Sequence, residues 1–262
     1  MATGILRIQA FAARQSAPVE GVTVNIVGDG FTAARMTDAE GNAADVTLTA
    51  PDCALSLEED NTTRLPYAVC SLTASKAGYR TVRIQGIQVF AGQVTLAQPE
   101  MIPETEEGRD VEDPPIVIPP HPLFAGGGGS GRAPADPCAP RVLDRVIIPK
   151  NITVHLGKPA ASARNVTVSF RSYIANVASS EVYPTWPESA LRANIHCQIS
   201  LALNRIYTEW YPSRGYSFNI TNSTSYDQYY VHGRTVFDVM VRLTDDIFNT
   251  YLRKTGTVNP YY

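Results

Sequence analysis

The sequence predicts a multi-domain chain in which an all-β sandwich is followed by an α+β domain. Three observations lead there. Residues 1–102 alternate apolar and polar side chains between glycine-marked turns, with no helical period. Residues 103–141 hold nine of the chain's nineteen prolines and six of its eighteen glycines. After them, apolar residues recur at three- and four-residue intervals over two long stretches.

In the first domain, Gly4-Ile5-Leu6-Arg7-Ile8-Gln9-Ala10-Phe11 reads as an opening strand. Val22, Val24 and Ile26 alternate in a second, and "VTLTAP" (46–51) forms another. Between them Thr37-Asp38-Ala39-Glu40-Gly41-Asn42 is a turn, with glycine where a positive φ costs least. Residues 65–103 supply three or four more strands punctuated by Gly78, Gly86 and Gly92.

Residues 103–141 read as a linker. Their composition exceeds what a packed segment carries, and seven acidic against three basic residues extend it. "IVIPPHP" is expected as polyproline II and "GGGGSG" (126–131) as flexible chain. The glycine run lacks the preceding strand, following helix and lysine of a phosphate-cradling loop.

In the second domain, over 142–262, "RVIIPKNITVHLG" (145–157) and "RNVTVSFRSYIANVASSEVY" (164–183) begin with alternating strands. Thr185-Trp186-Pro187-Glu188 reads as a capping box with proline in the first turn. Leu191, Ile195, Ile199, Ala202, Ile206 and Trp210 then make one helix of about 24 residues, ended by Pro212 and Gly215. Val236, Met240, Leu243, Ile247 and Tyr251 predict a second helix, whose Asp238, Asp245 and Asp246 form a solvated face.

Bulk properties exclude several functions. A net charge of −3 and a pI near 5.8 leave no footprint for nucleic acid. No apolar run is long enough to span a bilayer. The first twenty residues lack the basic start and apolar block of a signal peptide. Cys53, Cys70, Cys138 and Cys197 have no metal spacing with His121, His155, His196 or His232. Cys53 and Cys70 share a domain, so pairing between them stays open. Cys197 falls in an apolar helix pattern and reads as a buried thiol. No GxSxG or HExxH spacing occurs, which disfavours serine and metal hydrolases.

Two resemblances add to this. "PVEGVTVNIVG", "TDAEGNA", "PYAVCSLTASKAGYRTV" and "VFAG" resemble the carboxypeptidase regulatory-like, transthyretin-type sandwich over about 90 residues. That likeness implies a spacer or docking module, engaging a protein partner, with Gly78-Tyr79 as structural residues. "SYIANVASSEVYPTWPESALRANIHCQISLALNR" (172–205) resembles the family of stage II sporulation protein D (SpoIID) and LytB. Its landmarks are a glutamate, then aromatic, proline and tryptophan-proline residues, then an E-A-L-K-A-Q-A-like helix. A second landmark, Gln-x-Tyr, is matched by Gln228 and Tyr230.

The resemblance implies a lytic transglycosylase acting on peptidoglycan of spore cortex or cell wall, with Glu181 as the single acid/base. Tyr183, Trp186, Gln228 and Tyr230 carry over as substrate-binding residues. Trp186 could equally fill a hydrophobic staple, and the tyrosine-rich run at 226–230 could equally be strand packing. Val182, Tyr183, Pro184 and Trp186 would wall the glutamate with apolar groups and raise its pKa. Glu188 is explained by the capping box, and Asp227 is a second, weaker acid candidate. His196 reads as a core or edge histidine. Some relatives carry a Cys/His pair before Gln-x-Tyr; Thr221–Tyr226 has neither, so no zinc and no other cofactor is expected. The family continues past a Thr-x-Gly turn, whereas this chain stops at Tyr262, so the domain is expected to be incomplete there. The other reading is a non-catalytic wall-associated protein with a degenerate glycan-binding domain. Either way the expected location is spore or cell wall, reached by a route other than a signal peptide.

Overall fold

The computed structural model describes residues 2–12, 17–58, 61–104, 113–125 and 143–261. The chain is β-rich, with several sheets and three α-helices among these residues, and divides into two compact units. The first comprises 1–125 with 233–239, the second 126–232 with 240–262. No helix among the described residues is long and apolar enough to cross a membrane.

The first unit contains β1 (Ala2–Gln9), β2 (Phe11–Ala12), β3 (Ala17–Pro18), β4 (Thr23–Gly28), β5 (Phe31–Met36), β6 (Asn42–Ala50), β7 (Ala68–Ser75), β8 (Val82–Val89), β9 (Val94–Ala97), β10 (Ile116–Val117) and β14 (Val236–Phe237). One sheet runs β14-β9-β1-β6 and the other β10-β8-β7-β4-β5, while β2 and β3 pair separately. Alternation buries Leu6 and Ile8 of β1 and Val46 and Leu48 of β6. They join Val24, Ile26, Leu72, Ile84 and Ile87 of the other sheet in one cluster. The β1–β6 register slips between Leu6 and Ile8, which is why the alternation of β6 skips a residue between Ala43 and Val46. A second slip, opposite Cys70–Leu72, falls at Gly86, whose φ is +76°. A Cβ there would lie 2.1 Å from the Ile118 carbonyl oxygen, so only glycine fits this bulge.

Ile118 belongs to the expected linker, and this is a correction. Residues 113–125 form part of the first unit: Ile116 and Val117 pair in parallel with Ile84 and Gln85, and Ile118 is 3% exposed. Gln88 Nε2 donates to the Pro119 carbonyl, and the His121 N–H donates to the Tyr67 hydroxyl. The prolines stop the strand early, but the Ile-Val-Ile run had apolar surface to bury. The rest of the expected linker, including Cys138 and the glycine run, lies outside the described residues. Cys53 and Cys70 are both free thiols, and burial pushes Cys70 up to about 12.

In the second unit, β11 (Asn151–His155) pairs antiparallel with β12 (Asn165–Ser169) and parallel with β13 (Ile220–Thr221). The alternation that opens residues 164–183 stops at Ser169. That residue caps α1 (Phe170–Glu181), its Oγ accepting the Ser172 N–H at 3.1 Å. From Tyr173 to Ser180 every residue of α1 is buried, so α1 is the central helix of its unit.

α2 (Glu188–Tyr207) is 20 residues long, shorter than predicted at both ends. Its N-cap is Pro187, without a side-chain cap, so the capping box is not formed. Glu188 instead pairs with Arg192 and Arg242. The C-terminus is a Schellman-type turn: Glu209 takes φ +43°, its N–H reaching Ile206 and the Trp210 N–H reaching Arg205. Trp210 is thereby off the helix stripe, its ring in contact with the guanidinium groups of Arg205 and Arg214. Cys197 is exposed, not buried as its helix pattern implied. α3 (Asp238–Ile247) buries Met240, Leu243 and Ile247, and its Asp245 and Asp246 pair at the surface with Arg171 and Arg192.

Candidate functional site

Glu181 is the last residue of α1, where Val182 turns to extended geometry and the chain enters the loop to α2. Its carboxylate is gripped from two sides. Oε1 accepts the Tyr229 main-chain N–H at 2.9 Å, and Oε2 accepts Gln198 Nε2 at 2.8 Å. Burial raises its pKa above the ordinary glutamate value, against the pull of those two donors. A place in the last turn of a helix acts in the same direction, because the carbonyl end of the helix dipole disfavours an anion.

The loop that follows carries Tyr183 and Trp186. Tyr183 is 6% exposed and meets the Trp186 ring edge-on at 6.4 Å, while Trp186 is half-buried. The Trp186 N–H closes a turn onto the Tyr183 carbonyl at 3.2 Å. The two rings thus pack against each other in the loop that begins directly after Glu181.

Gln228 and Tyr230, predicted to contact substrate, lie inside the fold. Gln228 Oε1 accepts the Tyr173 hydroxyl at 3.0 Å, and its Nε2 donates to the Gln198 carbonyl at 3.1 Å. Tyr230 stacks on Tyr173 with centroids 5.4 Å apart, and burial pushes its phenol up to about 12. Next to it Asn176 brackets Val231, donating to its carbonyl at 2.8 Å and accepting its N–H at 3.1 Å. The segment from Asp227 to Val231 is therefore pinned across α1 and α2 by side chains satisfying main-chain groups, and this pinning delivers the Tyr229 N–H to Glu181.

Asp227 anchors the segment. Its side chain is fully buried and accepts four hydrogen bonds, from Arg205 Nε, the Tyr211 hydroxyl, and the Thr221 N–H and hydroxyl. Three of these reach Oδ2 and one Oδ1, and with no exposed side-chain surface the carboxylate is out of reach of a substrate. Burial, then the charge of Asp227, pushes the Tyr211 phenol up.

Gln198, Asn176 and Tyr229 were not singled out from the sequence. Gln198 had a signal: it interrupts the apolar stripe Leu191–Ile195–Ile199–Ala202 with a polar group three residues after Ile195. Among the described residues no three His, Cys, Asp or Glu side chains gather as a metal requires. A depression of about 390 Å³ lined by Ile148, Lys150, Phe170, Arg171 and Phe248 opens at the other end of α1. It is about 16 Å from Glu181 along the helix, and none of the assigned residues borders it.

No family model matches the sequence, and no curated protein is similar to it in sequence. Among solved structures, the Bacillus anthracis TIE protein is 16% identical over 39% of this chain and 17% of its own, with a TM-score of 0.28. Catechol 1,2-dioxygenase from Acinetobacter sp. ADP1 is 14% identical over 45% of this chain and 58% of its own, at a TM-score of 0.29. The chain spans less than two thirds of the length of either structure, and likenesses this distant carry no argument about function.

Proposed function

We propose that the second unit is a SpoIID-like domain that cleaves peptidoglycan glycan strands as a lytic transglycosylase, with Glu181 as its only acid/base. The observation that carries this is the half-buried carboxyl at the end of α1, its proton affinity raised by desolvation, in a loop that goes on to Tyr183 and Trp186. A group that must hold a proton near neutral pH needs such surroundings. In the reaction, the acid form of Glu181 protonates the glycosidic oxygen as its bond to the anomeric carbon breaks. The carboxylate then takes the proton of the muramyl C6 hydroxyl as that oxygen closes on the anomeric carbon. The proton count is unchanged, and the product is a 1,6-anhydro sugar. One carboxyl serves both steps, unlike the paired carboxylates of most glycosidases. Trp186 would stack on the sugar, with Tyr183 behind it. Gln228 and Tyr230 contribute by holding the 227–231 segment.

A second reading has its own support. Both oxygens of Glu181 are engaged inside the fold, as those of a purely structural glutamate would be. In that case the domain binds glycan without cleaving it. Incubating the protein with purified peptidoglycan and reading the soluble products by mass spectrometry separates the two. Anhydro-muropeptides support the enzyme, whereas binding with none released supports the glycan-binding domain. The first unit, with its transthyretin-like sequence pattern, is proposed as the docking module for a protein partner.

A further inference from the structure

Gln198 lies in the apolar stripe of α2 and is 4% exposed. Its Nε2 donates to Glu181 Oε2 at 2.8 Å, while its own Oε1 is buried without a hydrogen-bond partner. A bare buried carbonyl is uncommon and costly. The two oxygens of Glu181 face partners of different kinds. Oε1 faces the Tyr229 main-chain N–H, which can only donate. A proton on Oε1 would therefore point at a donor that cannot reverse. Oε2 faces a primary amide, which exchanges donor for acceptor by half a turn about its last torsion.

We propose that Gln198 is the positioning residue for the proton of Glu181: the proton resides on Oε2, and the Gln198 amide reverses as the carboxyl gains or loses it. With Glu181 ionised, Nε2 points at the carboxylate. With Glu181 protonated, Oε1 turns in to accept the carboxyl O–H. Each orientation leaves one amide atom bare on the far side, so the amide has little preference of its own and the carboxyl decides.

An acid/base that gives up a proton and takes one back within a turnover is served by a neighbour that fits both forms. That functional meaning rests on the acid/base reading of Glu181; the reversal itself needs only the two side chains. The surrounding titratable groups have other partners. On α2, Glu188 and Arg192 pair with each other and with Arg242 and Asp246. Arg205 closes on Asp227, and Tyr230 meets His232. On α1 the Tyr173 hydroxyl is bonded to Gln228. Burial is the largest influence on the carboxyl, followed by the two donors.

Nuclear magnetic resonance of the full chain, with the glutamate carboxyls and glutamine side-chain amides labelled and no substrate added, tests this. The expected result is an amide nitrogen of Gln198 that shifts with the same midpoint as the Glu181 carboxyl. Contacts from the Gln198 amide protons to the Glu181 γ-protons should be strong above that midpoint and weaken below it. In Glu181→Gln the Gln198 amide should ignore pH over this range. Contacts that keep their intensity through the titration overturn the proposal. In Gln198→Leu the Glu181 midpoint should move up, because burial remains while a donor favouring the charge is gone; an unchanged or lowered midpoint contradicts it. The measurement on the unmutated chain decides even where that variant fails to fold. A reversing amide in a protein that releases no anhydro product sinks the enzyme reading alone, and a fixed amide in an active enzyme sinks only this inference.

Discussion

Glu181 and Glu188 lie seven positions apart and differ in every physical respect. Glu181 is half-buried and desolvation raises its pKa; Glu188 is exposed and its pKa is lowered by Arg192 and Arg242. The raised value has a consequence for stability. A carboxyl whose folded pKa exceeds its unfolded one stabilises the fold fully in acid, and that contribution is lost as pH rises through the folded value. Relative to Glu181→Gln, the unmutated chain should therefore lose stability as pH climbs from the ordinary glutamate range through the raised pKa. Urea midpoints of both proteins across pH measure this, and a constant difference would contradict it. The glutamine variant should fold, because the Gln198 amide can turn its bare Oε1 toward the new donor. Glu181 was singled out through the resemblance carried by Tyr183-Pro184-Thr185-Trp186-Pro187; without that resemblance it reads as an exposed loop acid beside a helix start. Gln198 was not singled out, because one polar residue in an apolar stripe looks like an imperfect stripe until its partner is seen.

Among the elements, α1 was the one the sequence concealed. A helix buried on all sides has no polar face, so its period of 3.6 vanishes, and the alternation of β12 ran into it unbroken. α2 keeps an exposed side and was found, though its ends were misplaced. The proline-first start needed no side-chain cap, and the left-handed turn at Glu209 is one a non-glycine residue rarely marks. The segment 226–232 has almost no regular structure, yet side chains from α1 and α2 fix it. Its anchor is the buried pair of Asp227 and Arg205, 2.7 Å apart. Asp227→Asn leaves Arg205 buried without its counter-charge and should cost about 3–5 kcal/mol. Chemical denaturation of the variant checks this, and a loss below about 1 kcal/mol would remove Asp227 from its role as anchor. Phe237 of β14 is fully buried against Phe90, so Phe237→Ala should cost about 3–5 kcal/mol in the first unit.

For the molecule as a whole, two-domain organisation was readable from the proline- and glycine-rich middle, but the bounds were not. Composition marked 103–141 as linker, whereas Ile116, Val117 and Ile118 are claimed by the first unit's sheet and core. β14 is likewise given to that unit by a chain that has already entered the second. No local signal could announce this, since two residues beside a helix pattern carry no strand period of their own. A protease site placed within 126–131 and cut in the folded protein should thus yield pieces that co-elute in native buffer, held by β14 on β9, and separate in denaturant. Separation in native buffer would contradict the assignment of 233–239 to the first unit. The functional claim is that one carboxyl in the second unit performs both proton transfers of a glycan cleavage. The measurement bearing on it most directly is the yield of anhydro-muropeptides from Glu181→Gln and Glu188→Gln, each set against the unmutated protein under identical conditions. The account predicts a loss of at least 10²–10⁴-fold for the first and near-normal yield for the second. Equal loss in both, or none in either, would contradict it.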